Sequence, residues 1–222
     1  MRRNLFLLCL LYSSFVFSQN TNLSSWYMYF ANAKINESPF AIHFELQNRN
    51  HFILKDLDQF LGRTGLQYNY SDQAAFTVGY AFVQSEMIGD IDMPKIENRI
   101  YQEALLGQKI NYFSVRHRFR YEQRFIEGVD FKTRYRYSLA INFPLYQNEV
   151  GRNLYAAVYN ELFIHGEKKT ETDELFDRNR LYLGAGLKLN PKFSFQVGWM
   201  NQIFKNYSQP KLMVSLHHNL SI

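Results

Sequence analysis

Long stretches in which apolar and charged side chains alternate are the feature that most constrains the fold of this chain. Between Phe113 and Phe125 the odd-numbered residues are mostly apolar or aromatic, whereas the even-numbered residues are mostly arginine. Successive side chains point to opposite faces of a β-strand, whereas a helix, with a period of about 3.6 residues, would mix the two sets. This stretch is therefore predicted to be a strand with one apolar face and one charged face.

The same alternation recurs to the end of the chain. It predicts strands at residues 25–34, 39–50, 56–70, 74–85, 96–106, 112–127, 130–144, 152–165, 177–190, 192–204 and 211–222. Turn-forming residues lie between these segments, including Ser71-Asp72, Leu106-Gly107-Gln108 and Ser208-Gln209-Pro210. Because no helical period and no linker interrupts the pattern, the sequence predicts one all-β domain.

The amino terminus has the features of an export signal. Arg2 and Arg3 precede an apolar stretch that is too short to span a bilayer, and Val16 and Ser18 supply permissive residues before a cleavage site. We therefore expect residues 1–18 to be a signal peptide and residues 19–222 to be the exported domain. Cys9, the one cysteine of the chain, lies in the signal peptide, so the mature chain would carry none. This suits an oxidising, exported compartment.

Alternation alone also fits a soluble barrel or sandwich with the arginine-rich face in water. Three features favour the opposite arrangement. Predicted strands such as 112–127 are longer than the roughly five or six residues usual in soluble sheets, and are long enough to cross a membrane at a tilt. Tyr and Phe concentrate towards strand ends, as the aromatic girdles of membrane barrels require, and the chain ends in a strand with the apolar residue Ile222. The fold expected is a single-chain antiparallel transmembrane β-barrel.

A barrel of this class is expected in the bacterial outer membrane. Its partners would be the outer-membrane lipids and, during insertion, the barrel-assembly machinery. Bacterial single-chain barrels normally have an even number of strands, with both chain ends on the periplasmic side. We therefore expect about 12 strands, with one missed strand in 51–63, or 10 strands if the first segment is not a full strand.

The charged faces of the strands would then line the lumen. Arginine exceeds lysine there, which suits fixed, multidentate contacts with carboxylates on neighbouring strands. We interpret this face as a structural ion-pair network that fills a small barrel. The alternative is a basic, porin-like lining that binds or passes small anions, because strand 112–127 has more Arg than Glu. The predicted lumen residues are Glu45, Arg99, Arg116, Arg118, Arg120, Glu122, Arg124, Arg134, Arg136, Glu161, Arg178 and Arg180.

The sequence carries no strong catalytic signal. Motifs of the G-x-S-x-G, CxxC, HExxH and phosphate-loop types are absent, so we expect no catalytic site, no cofactor and no metal. His117, on the predicted lipid-facing side, leaves a lipid-modifying enzyme as a third alternative. Removal of Arg2 and Arg3 lowers the formal charge from +5 to +3, which does not argue for a nucleic-acid partner. The sequence does not indicate an oligomeric state.

Several segments resemble one known family. They are Arg118-Phe-Arg-Tyr-Glu-Gln-Arg124-Phe125, Arg134-Tyr-Arg-Tyr, Phe143-Pro144-Leu145, Asn160-Glu161-Leu-Phe and Phe176-Asp-Arg-Asn-Arg180-Leu-Tyr-Leu-Gly184. Together with Gly65-Leu-Gln-Tyr68 and Val78-Gly79-Tyr80, they resemble the domain-of-unknown-function 2490 family over nearly the whole mature chain. This resemblance implies an exported outer-membrane barrel of a Gram-negative bacterium, with no established activity.

Overall fold

The computed structural model describes residues 23–89, 93–147, 153–167 and 174–222, so the expected signal peptide at 1–18 lies outside the described residues. The described part of the chain forms eleven β-strands, and no helix in it is both long and apolar enough to cross a membrane. The strands are β1 (Ser24–Lys34), β2 (Phe40–Asn50), β3 (Leu57–Asn69), β4 (Ala74–Ser85), β5 (Lys95–Ile110), β6 (Phe113–Ile126), β7 (Lys132–Gln147), β8 (Asn153–His165), β9 (Phe176–Lys188), β10 (Phe193–Ile203) and β11 (Ser208–Ser221).

The strands form one closed barrel. Each strand pairs antiparallel with the next strand in the chain, and β1 pairs with β11 to complete the circle. The β1–β11 pair is parallel and runs in unbroken register from Ser24 opposite Lys211 to Lys34 opposite Ser221. The all-β barrel predicted from the sequence is therefore confirmed, with one parallel seam where the prediction was antiparallel throughout.

The expected strand number was wrong. The described barrel has eleven strands rather than 12 or 10, because residues 51–56 form a connection and not a strand. Leu54 and Asp56 adopt left-handed backbone angles there, with φ of 63° and 58°. The first segment is a full strand. An even number is needed only when all neighbours are antiparallel, and the parallel seam removes that requirement.

An odd number of strands places the start of β1 and the end of β11 at opposite ends of the barrel. The end where β1 starts carries the connections 51–56, 86–94, 127–131, 166–175 and 204–207, and we call it the loop end. The other end carries the connections 35–39, 70–73, 111–112, 148–152 and 189–192, which are shorter on average, and we call it the turn end.

Two predicted turns are strands in the structure. Gly107 lies within β5, paired with Arg116, and the reversal comes at 111–112, where Asn111 has φ of 53°. The predicted turn at Ser208-Gln209-Pro210 is instead the start of β11. Polar residues at these strand ends break the alternation without breaking the backbone ladder. For this reason the predicted β5 ended too early and the predicted β11 began too late.

The outer face of the barrel is apolar. Large hydrophobic side chains are exposed along the middle of most strands, among them Phe44, Leu66, Val78, Ile100, Phe119, Tyr135, Leu183 and Val197. Aromatic pairs between neighbouring strands lie near both ends: Phe125–Phe131 at the loop end, with ring centroids 5.2 Å apart, and Phe40–Tyr68 and Phe113–Phe143 at the turn end, at 5.4 Å and 5.0 Å.

The interior has two sectors with different chemistry. On the side of the seam, Trp26, Met28, Ala157, Tyr182, Met200 and Met213 form an apolar cluster. On the side of β2 to β9, most buried polar side chains are Arg and Glu, so the interior is filled partly by packing and partly by charge.

Tyr101 of β5 crosses two glycines of the neighbouring strands. Its ring lies against Gly79 of β4 and its hydroxyl reaches Gly65 of β3, where it donates a 3.4 Å hydrogen bond to the carbonyl oxygen of Thr64. A Cβ at position 65 would lie 2.5 Å from Tyr101 Oη and 2.8 Å from Thr77 Cγ2. The absence of a side chain at Gly65 therefore makes room for a buried tyrosine that spans three strands.

We expect Gly65→Ala to lower the free energy of unfolding by about 1–3 kcal/mol, because the added methyl group overpacks the Tyr101 contact. Gly62→Ala is the matched control in the same strand, since its Cβ would meet only Leu46 Cδ2, at 3.7 Å. Denaturant titration of both purified variants measures the difference. Equal stabilities would show that Tyr101 does not depend on this gap.

Candidate functional site: the charged interior

The twelve lumen residues predicted from the sequence lie on β2 and on β5 to β9. Eleven of them have carboxylate or arginine partners within ion-pair distance in the described part of the chain. Arg116 is the exception: it is exposed near the turn end, and it has no such partner among the described residues.

Opposite charges face each other directly across neighbouring strands. Glu45 lies opposite Arg63, with Oε2 and Nη1 2.7 Å apart, and Glu122 lies opposite Arg134, with Oε2 and Nη2 2.6 Å apart. Glu103 is likewise opposite Arg120 and accepts a hydrogen bond from its Nε at 2.5 Å. Directly opposed side chains on one face of a sheet are within contact distance, so the strand register itself selects these pairs.

Two like-charged pairs also face each other, and each is bridged by a glutamate. Arg99 and Arg124 are opposed, and Glu97 binds both, at 2.6 Å and 2.5 Å. Arg120 and Arg136 are opposed, and Glu122 Oε1 lies 3.9 Å from the first and 2.6 Å from the second. The carboxylates therefore sit where arginine repulsion would otherwise be largest.

Glu161 of β8 is the most heavily shared carboxylate. It contacts Arg118 and Arg136 at 2.7 Å and 2.6 Å, and Arg180 at 3.7 Å. Through Glu122 and Arg134 the pairs continue to Asp177 and Arg178 on β9. We call this connected set the central network: Glu103, Arg118, Arg120, Glu122, Arg134, Arg136, Glu161, Asp177, Arg178 and Arg180.

Asp177 was not predicted to join the interior charges. Its odd number places it on the outer face if β9 alternates regularly. The register between β8 and β9 shifts at this point, so that Phe163 faces Arg178 whereas Ile164 faces Phe176. This bulge turns Asp177 inward, where it binds Arg134 at 3.2 Å and Arg178 at 2.9 Å.

Positive charge exceeds negative charge in the interior, and buried aromatic rings lie beneath much of the excess. Arg49, Arg180 and Lys211 lie 3.9 Å, 4.8 Å and 5.7 Å from the centre of the Trp26 ring. Arg136 and Arg180 lie 4.4 Å and 4.5 Å from the Phe163 ring. The negative face of an aromatic ring attracts cations, and most strongly where water is excluded. The sequence did not predict these cation–π contacts of Trp26, Phe163 and Lys211, because an aromatic residue or a lone lysine carries no sequence signal for them.

The interior opens into a cavity of about 330 Å³ at the loop end. Its wall includes Arg49, Arg63, Arg99, Arg134, Arg178 and Arg180, with the exposed Lys95 and the partly exposed Lys132 at its rim. Glu97 is the one carboxylate residue in this wall among the described residues. The cavity is therefore a basic vestibule with the central network at its floor.

With the geometry known, comparison with other proteins places the chain in a family. A family model described as "Protein of unknown function (DUF2490)" matches residues 23–213. The chain belongs to the DUF2490 family. It is 31% identical over 183 residues to an uncharacterized protein of Methylorubrum extorquens, and the match covers 80% of this chain and 76% of that protein. No solved structure matches the chain significantly.

Among the described histidines of this DUF2490 protein, His43 lies beside an acid, with its Nε2 3.6 Å from Glu45 Oε2. His117 faces outward, its Nδ1 2.9 Å from the Tyr137 hydroxyl. Inside the barrel, Ser215 Oγ and His217 Nε2 are 3.0 Å apart, a pair that the sequence analysis did not single out. Ser215 is buried, and the His217 ring stacks on Phe30. Within the described ranges, no three His, Cys, Asp or Glu residues are grouped so that they could hold a metal.

We expect Glu122→Gln to destabilise the barrel by about 3–5 kcal/mol, because it leaves Arg134 and Arg136 buried without their shared carboxylate. Glu174→Gln is the control, since it removes an exposed partner of Lys205 and should change stability by less than about 1 kcal/mol. Denaturant-induced unfolding of the two purified variants compares their stabilities. A small loss for Glu122→Gln would mean that the central network is not a structural support.

Proposed function

We propose that this DUF2490 protein is a non-enzymatic outer-membrane β-barrel whose interior is closed by side chains, with a structural or surface-interaction role. The observation that carries the proposal is the distribution of side chains, which is apolar outside and charged inside. In water this arrangement would expose a continuous apolar surface far larger than monomeric soluble proteins tolerate. A bilayer removes that cost.

Strand geometry supports a bilayer as the surrounding solvent. The strands have from 11 to 16 residues, and about 9–11 residues suffice to cross the hydrocarbon core at a tilt. The closed ladder leaves no strand edge in the described barrel, as hydrocarbon requires. Aromatic pairs near both ends match the two interfaces of a membrane.

The lengths of the connections support one orientation. Outer-membrane barrels have short periplasmic turns and longer extracellular loops. The connections 86–94 and 166–175 at the loop end are longer than 70–73 and 111–112 at the turn end. In our proposal the loop end, with its basic cavity, therefore faces the cell exterior.

Side chains in the middle of the barrel support a closed interior. Tyr101, Glu122 and Tyr182 are each 1% exposed, and Met200 is 0% exposed. These residues come from β5, β6, β9 and β10, so side chains from several sides of the barrel fill the lumen. Arginine–carboxylate pairs fill the space between β5 and β9.

The membrane assignment predicts different effects on stability for two arginine substitutions. Leu183→Arg, at an outward position 48% exposed near the middle of β9, should destabilise the inserted barrel by about 2–4 kcal/mol. Tyr112→Arg, at a residue that is 84% exposed in the turn between β5 and β6, should have little effect. Membrane fractionation and the heat-modifiable mobility of the folded protein measure insertion.

A soluble periplasmic wild-type protein would contradict the membrane assignment. So would a Leu183→Arg variant that folds as well as Tyr112→Arg, because an outer face in water would accept an arginine without penalty.

A second candidate function is an anion-selective pore, which the excess of positive charge in the interior favours. The closed interior predicts no sustained conductance in planar bilayers. A pore predicts anion conductance that falls in Arg118→Gln and Arg120→Gln, while Glu174→Gln, outside the interior, leaves it unchanged. Single-channel recording separates the two functions directly.

The lipid-modifying alternative has less support. It depends on His117, whose described polar contact is the Tyr137 hydroxyl and not a serine or a carboxylate. Its ring also stacks on Tyr137 at a centroid distance of 6.1 Å. This arrangement is typical of a polar aromatic pair near a membrane interface, and it supplies no nucleophile.

A further inference from the structure

The wall of the loop-end cavity holds more positive charge than its carboxylates neutralise. Arg99 and Arg124 share Glu97, and Arg180 shares Glu161 with two other arginines at the longer distance of 3.7 Å. Buried ions are stable when they are paired and hydrogen-bonded, and an excess of one sign is costly. The cavity wall therefore keeps a net positive charge.

Arg49 is the clearest case of a buried cation without a direct ion pair. It is 9% exposed and lines the cavity, and among the described residues no carboxylate oxygen lies within 4 Å of its guanidinium. Its partners are neutral: it donates to Gln47 Oε1 at 2.7 Å and to Gln59 Oε1, and it stacks over the Trp26 ring. Lys132, at the rim, also has no carboxylate partner in the described part of the chain.

Arg63 adds an unused donor to the same wall. It is 5% exposed, and its Nη1 binds Glu45, but its Nε is buried and has no hydrogen-bond partner among the described residues. Its positive charge therefore lies in the same wall as that of Arg49.

The cationic groups approach the cavity from strands on different sides of the barrel. Arg49, Arg63 and Arg99 come from β2, β3 and β5, whereas Arg178 and Arg180 come from β9. A planar carboxylate accepts hydrogen bonds mainly in one plane, whereas a tetrahedral oxyanion accepts them from all sides. Guanidinium groups match such oxygens with two parallel hydrogen bonds. A volume of about 330 Å³ is room for about ten water molecules and therefore exceeds the needs of a single halide ion.

We propose that the loop-end cavity is a binding site for a phosphate-class oxyanion, either a free phosphate or the phosphate of a lipid headgroup. The anion supplies the direct ion-pair partner that Arg49 lacks. The site depends on the interior geometry and not on the membrane assignment, so the two proposals fail independently.

The test is isothermal titration of the purified full-length protein in an uncharged detergent with inorganic pyrophosphate. Wild-type protein should bind with saturation at one site. Arg49→Gln should weaken the affinity by about tenfold or more, the loss expected for one charge-assisted hydrogen bond. Because no carboxylate oxygen of the described residues lies within 4 Å of Arg49, this substitution breaks no direct ion pair there. Lys132→Gln, at the partly exposed rim, is the second variant and should weaken binding in the same direction.

Arg116→Gln is the matched control. It removes the same charge from the same barrel interior, but near the turn end and outside the cavity wall. Its affinity for pyrophosphate should equal that of the wild type. Heat-modifiable mobility of every variant establishes that the barrels compared are folded.

A second arm separates the two sources of phosphate. The same protein is titrated with short-chain phosphatidic acid and with the corresponding diacylglycerol, which lacks the phosphate. Competition between phosphatidic acid and pyrophosphate, with no binding of diacylglycerol, assigns a lipid headgroup. Binding of pyrophosphate alone assigns a free anion.

The proposal is overturned if neither phosphate compound binds the folded wild-type protein. Equal weakening by Arg49→Gln and Arg116→Gln also overturns it, because that result would reflect general attraction to a basic protein. Membrane fractionation does not enter these outcomes.

Discussion

Backbone hydrogen bonds join each strand to two neighbours, and because β1 also pairs with β11, the described barrel has no free strand edge. Closure converts the two faces of one sheet into an outside and an inside. A period of two residues then places alternate side chains on the outside and the inside of the barrel. The apolar outer face, the charged interior and the two unlike ends all follow from this one constraint.

Charge inside the barrel is arranged by register and only partly neutralised by pairing. Directly opposed Arg–Glu pairs such as Glu45–Arg63 neutralise each other without a third residue. Opposed arginines need a glutamate such as Glu97 two positions away along the strand. Some of the excess arginine side chains lie against the rings of Trp26 and Phe163. Buried aromatic rings thus stabilise cations in the interior, as carboxylates do elsewhere in it.

Periodicity predicts the strands and their faces well, because side-chain alternation is local. The predicted segment 39–50 and the observed Phe40–Asn50 differ by a single residue. Features that depend on pairing are not local. The parallel seam, the bulge that turns Asp177 inward and the end of β5 at Ile110 are fixed by neighbouring strands. The strand number was wrong for the same reason, since the sequence of β1 does not reveal the direction of its partner.

The parallel seam also sets an order for folding. Ten of the eleven ladders in the described barrel join strands that are consecutive in the chain, and each can form as a hairpin as soon as its second strand is available. The seam instead joins residues such as Ser24 and Lys211, 187 positions apart. Such a contact carries the largest loop-closure entropy in the molecule. Until β11 docks, the growing sheet therefore has two open edges, and the folding intermediate has to be protected from pairing with another copy of itself.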